Sequence, residues 1–208
     1  MTNEQFADLV QLKHEVSGVE FKPPGLLHAD KSLFYQVARA VLGMANRRDG
    51  GSIVIGIRED SGKFELVGLT SAELESWRYD LIADGLGPIA EPAVVFETAV
   101  HEYVGRRFVL IEVEEFEDIP IICRRNFPRS LKPGHKAILR DGAVYVRPRR
   151  KPETTEVAGQ TEMRDLLELA IEKRLRQMLG TVSRAGATLQ SRPSVQQLFV
   201  DELPEDLR

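Results

Sequence analysis

The chain reads as one domain of mixed helices and strands with a helical appendage, and three observations point there. Ser52-Ile53-Val54-Ile55-Gly56-Ile57 is a near-continuous apolar run, the mark of a central strand covered on both faces. Val19-Glu20-Phe21-Lys22 alternates apolar and charged residues with the two-residue period of a half-buried strand. Residues 31–45 and 162–179 carry apolar side chains at helical spacing. A length of 208 residues suits one domain and an appendage. The expected division is a domain over 1–157, a C-terminal amphipathic helix over 158–180 and a flexible tail over 181–208.

In chain order, residues 3–14 are expected as an amphipathic helix with Phe6, Leu9 and Val10 inward and Asn3 as N-cap. The strand 18–22 follows, and Pro23-Pro24-Gly25 stops it. Asp30 is placed to cap a second helix over 31–45. Leu33, Phe34, Val37, Ala38, Val41, Met44 and Ala45 make that helix largely buried. The turn cluster Asn46-Arg47-Arg48-Asp49-Gly50-Gly51 leads into the central strand, where Gly56 predicts a kink or a close backbone approach. A hairpin turn over 59–63 sends the chain back through 64–68. Thr70-Ser71-Ala72-Glu73 is a capping box that opens a helix running to about Asp84. Strands are expected over 93–100, 106–115 and 119–123. Residues 124–136 read as an exposed basic loop, and Asp141-Gly142 as a hairpin turn between 137–140 and 144–147. Thr161 caps the last helix. Its stripe of Met163, Leu166, Leu167, Ala170, Ile171, Leu175, Met178 and Leu179 either docks on the domain or pairs two subunits.

Composition narrows the function classes. A hydrophobic content of 42% and a charged content of 29% suit a chain with a core of its own. The N-terminal stretch lacks a long apolar run, so neither a signal peptide nor a membrane span is expected. Cys123 is the single cysteine. It excludes a disulfide within the chain, fits a cytosolic setting and lacks a matched base for nucleophilic work. The four histidines are scattered without the spacing of a zinc site. Neither a phosphate-binding P-loop pattern nor a dinucleotide fingerprint is present, so no nucleotide cofactor is expected.

Net charge is −4, but its distribution is uneven. Between Ile121 and Pro152 stand Arg124, Arg125, Arg129, Lys132, Lys136, Arg140, Arg147, Arg149, Arg150 and Lys151, opposed by Asp141 alone. Residues 65–118 are acidic. One face built for a polyanion accounts for this, and so does a solvated surface balancing the acidic middle. Phe127, Tyr145 and Tyr103 lie near basic residues, where they either stack on bases or pack in a sheet.

Glu20 and Lys22 fall on one face of the first strand. Glu15 lies five residues before Glu20, and a bend at Ser17-Gly18 would bring its carboxylate to the same face. Two carboxylates hold a hard divalent cation through oxygen, and an ammonium beside them orients water or steadies phosphate charge. The plain alternative is a Glu/Lys pair on a solvated strand, worth little. Asn46 after its helix either contacts backbone or a ligand or, as is commoner there, serves as a left-handed C-cap.

Six pieces in this order resemble the Schlafen AlbA-2 domain family: Glu15-x4-Glu20-Phe21-Lys22, the buried helix ending Ala45-Asn46, Gly50-Gly51, Ile53-x-Ile55-Gly56-Ile57, Val67-Gly68-Leu69 and Tyr145-Val146-Arg147. The resemblance covers about residues 12–157. It implies an α+β domain with a mixed sheet flanked by helices, and a nucleic-acid-binding role on RNA or DNA. For some animal members it also implies metal-dependent endoribonuclease activity. On that analogy Glu15, Glu20, Lys22 and Glu59 are the catalytic candidates, and Glu15, Glu20, Glu59 and Asp60 would hold Mg²⁺ or Mn²⁺. The family's third carboxylate follows the Gly56-Ile57 pair, where this chain has Arg58, so Glu59 or Asp60 would stand in for it. Arg124, Arg125, Arg129, Lys132, Lys136, Arg147, Arg149 and Arg150 are the candidate nucleic-acid contacts. Schlafen cores join two such halves, so a homodimer is expected of a chain with one. A non-catalytic adapter that recruits a protein partner through the C-terminal helix and tail is the rival reading.

Overall fold

The computed structural model describes residues 1–11, 18–28, 31–60, 62–128, 137–148 and 153–184. The chain forms two units, Met1–Ile171 and Glu172–Arg208. Helix α1 (Asn3–Gln11) opens the first and is followed by β1 (Val19–Lys22), α2 (Lys31–Ala45), β2 (Gly51–Ile55), β3 (Ile57–Asp60) and β4 (Lys63–Leu66). Two short helices, α3 (Ser71–Ser76) and α4 (Tyr79–Leu86), lead to β5 (Ala90–Glu91). The long hairpin of β6 (Phe96–Tyr103) and β7 (Arg106–Val113) comes next, then β8 (Ile122–Cys123), β9 (Tyr145–Val146), β10 (Thr155–Glu156) and α5 (Gln160–Arg184). In the second unit the described part is the continuation of α5 from Glu172 to Arg184.

The sheet is mixed, in the order β1-β2-β7-β6, and the architecture is α+β. β1 runs parallel to β2, with Glu20 beside Ile53, and the other two pairings are antiparallel. Parallel neighbours need a crossover, and α2 provides it. Ile53 and Ile55 face the α2 side with Val109 and Ile111, whereas Val54, Phe108 and Leu110 face the α1 side with Phe6, Val10, Val19 and Phe21. The central strand is therefore apolar on both faces, as its composition predicts. Because Val19 and Phe21 take the α1 side, the alternation turns Glu20 toward α2.

Gly56 ends β2 with φ +115°, and its carbonyl accepts from Val67 and Gly68 at 3.0 and 2.8 Å. The apolar run thus splits into two strands rather than continuing to Ile57. The capping box forms, with the Thr70 hydroxyl accepting from Glu73 N and the Glu73 carboxylate accepting from Thr70 N. That helix ends at Ser76 instead of reaching Asp84, because Trp77 turns inward and donates its indole N–H to Gly25 O at 2.7 Å. Asp30 lies outside the described residues. Thr2, not Asn3, caps α1 by accepting from Gln5 N at 3.2 Å.

The Asp141-Gly142 turn forms, with Ala143 N donating to Arg140 O at 3.1 Å, but it does not join two paired strands. Leu139 bridges to Phe127, and Tyr145–Val146 pairs with Thr155–Glu156. The α5 stripe also divides. Leu166 enters the core together with Leu169, which the expected stripe left out, while Met163, Leu167 and Ile171 stay 42%, 52% and 59% exposed. Leu175, Met178 and Leu179 of the second unit are exposed as well. No described helix is long and apolar enough to cross a membrane.

Candidate functional site

Glu20 is 8% exposed, far from the solvated strand face that its alternation with Phe21 suggests. Its Oε2 accepts from Arg147 Nη1 and its Oε1 pairs with Lys22 Nζ. Arg147 is fully enclosed at its side chain, and its Nη2 donates to Val19 O at 2.7 Å. A buried guanidinium needs an anion and carbonyl acceptors, and this one finds both on β1. Arg147 is thereby a tether between the end of β9 and the edge of the sheet. Its enclosed guanidinium does not face solvent as a phosphate contact would.

Asn46 sets where β9 arrives. Its Nδ2 donates to Ile121 O at 2.8 Å and Tyr145 O at 2.9 Å, and its Oδ1 accepts from Ile121 N at 2.7 Å. It continues the helical hydrogen bonding, with its N–H on Leu42 O at 3.2 Å. The left-handed φ falls on Asp49 and Gly50 instead, where a Cβ on Gly50 would meet Val113 O at 1.9 Å. So Asn46 is a buried three-bond clamp, not a left-handed cap. The sequence signal was a lone amide at the end of an apolar helix face.

A cleft of about 420 Å³ opens beside this node. Its lining includes Arg47, Arg48 and Arg147 together with Glu162, Asp165 and Glu168 of α5. Arg47 Nη1 donates to Gly50 O at 2.7 Å, which closes the turn, while Arg48 is exposed. Neither the arginine pair nor the acidic residues of α5 stand out in the sequence, because nothing in the residue pattern of α5 says which of its faces meets the α2–β2 turn.

The remaining candidates divide. Arg124 Nε pairs with Glu91 at 3.1 Å on the surface, and Arg140 pairs with Glu156. Arg125 is half-buried and has no carboxylate partner among the described residues. Tyr145 is buried in the sheet, where burial pushes its phenol up to about 12, so it packs and does not stack on a base. Burial likewise raises the Cys123 thiol, which donates to Arg125 O at 3.3 Å. Tyr103 is half-buried and its hydroxyl accepts from Gln11 at 3.3 Å. Glu15, Arg129, Lys132, Lys136, Arg149 and Arg150 lie outside the described residues.

For a divalent cation the described donors do not fit. Both oxygens of Glu20 carry cationic partners. Glu59 and Asp60 are exposed on β3, opposite Phe64 and Lys63. Arg58 pairs with Glu65 at 3.9 Å. Among the described residues no three His, Cys, Asp or Glu side chains gather around a common point.

Comparison with known proteins bears on the whole arrangement. The family described as Schlafen, AlbA_2 matches residues 15–156. Among solved structures, the DIP2311 protein from Corynebacterium diphtheriae is similar at 16% identity and a TM-score of 0.46 over 74% of this chain. The chain spans 26% of that protein's length. The N-terminal domain of an ATP-dependent DNA helicase RecG-related protein from Nitrosomonas europaea is similar at 20% identity and a TM-score of 0.42, over 66% of this chain and 88% of that one. No curated protein matches the chain. The family match takes in β1, the buried helix α2, the central strand and the Tyr145-Val146-Arg147 segment that the Glu20 node ties together: this chain belongs to the Schlafen AlbA-2 family.

Proposed function

We propose that this chain is a nucleic-acid-binding module that holds RNA or DNA by its phosphate backbone. Its membership of the Schlafen AlbA-2 family, combined with ten basic residues against one acidic residue over 121–152, carries the reading. Within that stretch the candidate contacts are unequal. Arg124, Arg140 and Arg147 are already neutralised by Glu91, Glu156 and Glu20. Arg125 keeps its charge for a ligand, and exposed Lys31 stands at the start of α2. Arg129, Lys132, Lys136, Arg149 and Arg150 join them as proposed contacts.

The test is fluorescence anisotropy with labelled RNA and DNA across a salt series. Each neutralised phosphate releases counterions, so log affinity falls linearly with log salt, with a slope of roughly −0.7 to −0.9 per contact. A flat salt response, or no binding at about 50 mM salt, overturns the reading.

Cleavage of RNA is the second reading, and it rests on the family's Glu15-x4-Glu20-x-Lys22 pattern alone, since Lys22 and Arg147 occupy both Glu20 oxygens against a cation. Because Glu20 holds up the fold, the informative substitutions are Lys22→Ala and Glu59→Gln. Digestion of structured RNA with Mn²⁺ that is lost in both variants supports cleavage, and digestion that survives in both removes it.

A further inference from the structure

We propose that a second cleft, at the N-terminal end of α2, is a pocket for one unpaired nucleobase, with its phosphate held by Lys31 and Arg125. This rests on the nucleic-acid reading and adds the form of ligand to it, a single strand with a base turned out. The cleft has a volume of about 580 Å³, within the range of about 300–1,000 Å³ typical of small-molecule sites.

Two rings built for stacking line it. Tyr35 lies on Phe127 with centroids 3.9 Å apart and planes 19° from parallel, and both are half-buried. Neither is loose. Phe34 braces Tyr35 edge-on at 5.4 Å and 62°. The Phe127 backbone is fixed on both sides, its N–H on Leu139 O at 2.9 Å and its carbonyl accepting from Ile138 N at 2.8 Å. A stacked, braced aromatic pair is a preformed platform, and a base that extends the stack loses little flexibility in the protein on binding.

The charges around the rings select the ligand. Lys31 and Arg125 line the same cleft, and neither has a carboxylate partner among the described residues. The three other described arginines of the 121–152 stretch all do. Against these two cations the lining sets one carboxylate, Asp84, so an apolar ligand would leave a positive charge uncompensated, whereas a nucleotide supplies a π-face for the rings and an anion for the cations. Asp84, also in the lining, is an acceptor for the amino or imino hydrogens of a base edge. A duplex keeps its bases stacked inside, so this pocket reads single strands or flipped bases.

The experiment uses the full chain with a short single-stranded RNA and with the same sequence as a duplex, measured by anisotropy over a salt series. Tyr35→Leu keeps apolar volume and removes the ring. It is expected to weaken single-strand binding about 5- to 100-fold while duplex binding and the salt slope stay as in the wild type. Arg125→Gln is expected to lower the salt slope by about one contact's worth. Circular dichroism melting of both variants separates a folding loss from a binding loss. If Tyr35→Leu, folded as the wild type, binds single strands equally, or weakens single strand and duplex alike, the base pocket is wrong and backbone binding still stands. If the wild type binds neither RNA, both readings fall together.

Discussion

Arg147 reaches Glu20 across 127 residues of sequence and ties the end of β9 to the edge of the sheet. The pair is buried, so its two halves are unequal in what their loss does. Removing one partner leaves a charge stranded away from water, which costs about 3–5 kcal/mol, while replacing both with apolar groups is near neutral. Glu20→Ala is therefore expected to lower unfolding free energy by about 3–5 kcal/mol, and the double variant Glu20→Ala with Arg147→Met to regain most of it. Urea unfolding of the two singles and the double decides this. A Glu20→Ala protein as stable as the wild type would mean that the pair is ornamental. Lost activity in Glu20→Ala would accordingly report the stranded Arg147 charge and not a catalytic role.

The Asn46 clamp gives an independent prediction. Asn46→Ala strands three buried groups, Ile121 O, Ile121 N and Tyr145 O, each worth about 1–3 kcal/mol when unpaired. The expected loss is at least about 2 kcal/mol, since some of these groups will find water. Asn46→Asp should not rescue it, because the carboxylate cannot donate to the two carbonyls. Rescue by Asp, seen as a restored denaturant midpoint, would show that the donors contribute little.

These two residues also show what was legible in the sequence. Period and composition announce elements, so the central strand, the capping box at Thr70 and the buried face of α2 were readable from the chain itself. Partners across long separations were not. Glu20 alternates with Phe21 like a surface residue, and nothing local announces that Arg147 will cover it. The Asp141-Gly142 turn carried the right chemistry for a hairpin, yet Leu139 makes an isolated bridge to Phe127 and Tyr145 pairs with β10. The aromatic stack failed to show for the same reason, since Tyr35 and Phe127 stand 92 residues apart in the chain.

The acidic wall of α5 has an electrostatic consequence. Glu162, Asp165 and Glu168 share a cleft with Arg47 and Arg48, so they repel any phosphate approaching those arginines. Replacing all three by Gln, Asn and Gln is expected to raise nucleic-acid affinity at low salt, with the gain shrinking as salt screens it. Affinity that stays level at about 50 mM salt would place the phosphate path away from this cleft.

The exposed stripe on α5 bears on assembly. Met163, Leu167 and Ile171 follow one another at four-residue steps, in the manner of a helix face that meets another helix. We expect two copies of the chain to pair through this face. Light scattering should find a dimer at micromolar concentration, and Leu167→Glu with Ile171→Glu should yield a monomer with an unchanged circular dichroism spectrum. A strict monomer in the wild type leaves the stripe to a different partner protein.

His101 supplies the pH dependence. It is 5% exposed, stacked on Phe6 at 4.6 Å and 10°, with Nδ1 at 2.8 Å from Asn3 Oδ1. It thus joins α1 to β6. Its Nε2 is buried without a hydrogen-bond partner. Burial pushes the imidazole below its usual value, the N-terminal ammonium of Met1 pushes the same way, and Glu112 opposes them more weakly. The group is therefore neutral in the folded chain at neutral pH. A lowered folded value means that the unfolded chain binds the proton more tightly. Stability is then full above the unfolded value of about 6.5 and declines as pH falls below it, until the folded value is passed. Chemical unfolding of the wild type and of His101→Gln between about pH 7.5 and 5 should show a steeper loss in the wild type below about 6.5. Parallel slopes in the two proteins, or a wild type that gains stability on acidification, would show that the imidazole is not held neutral by its burial against Phe6.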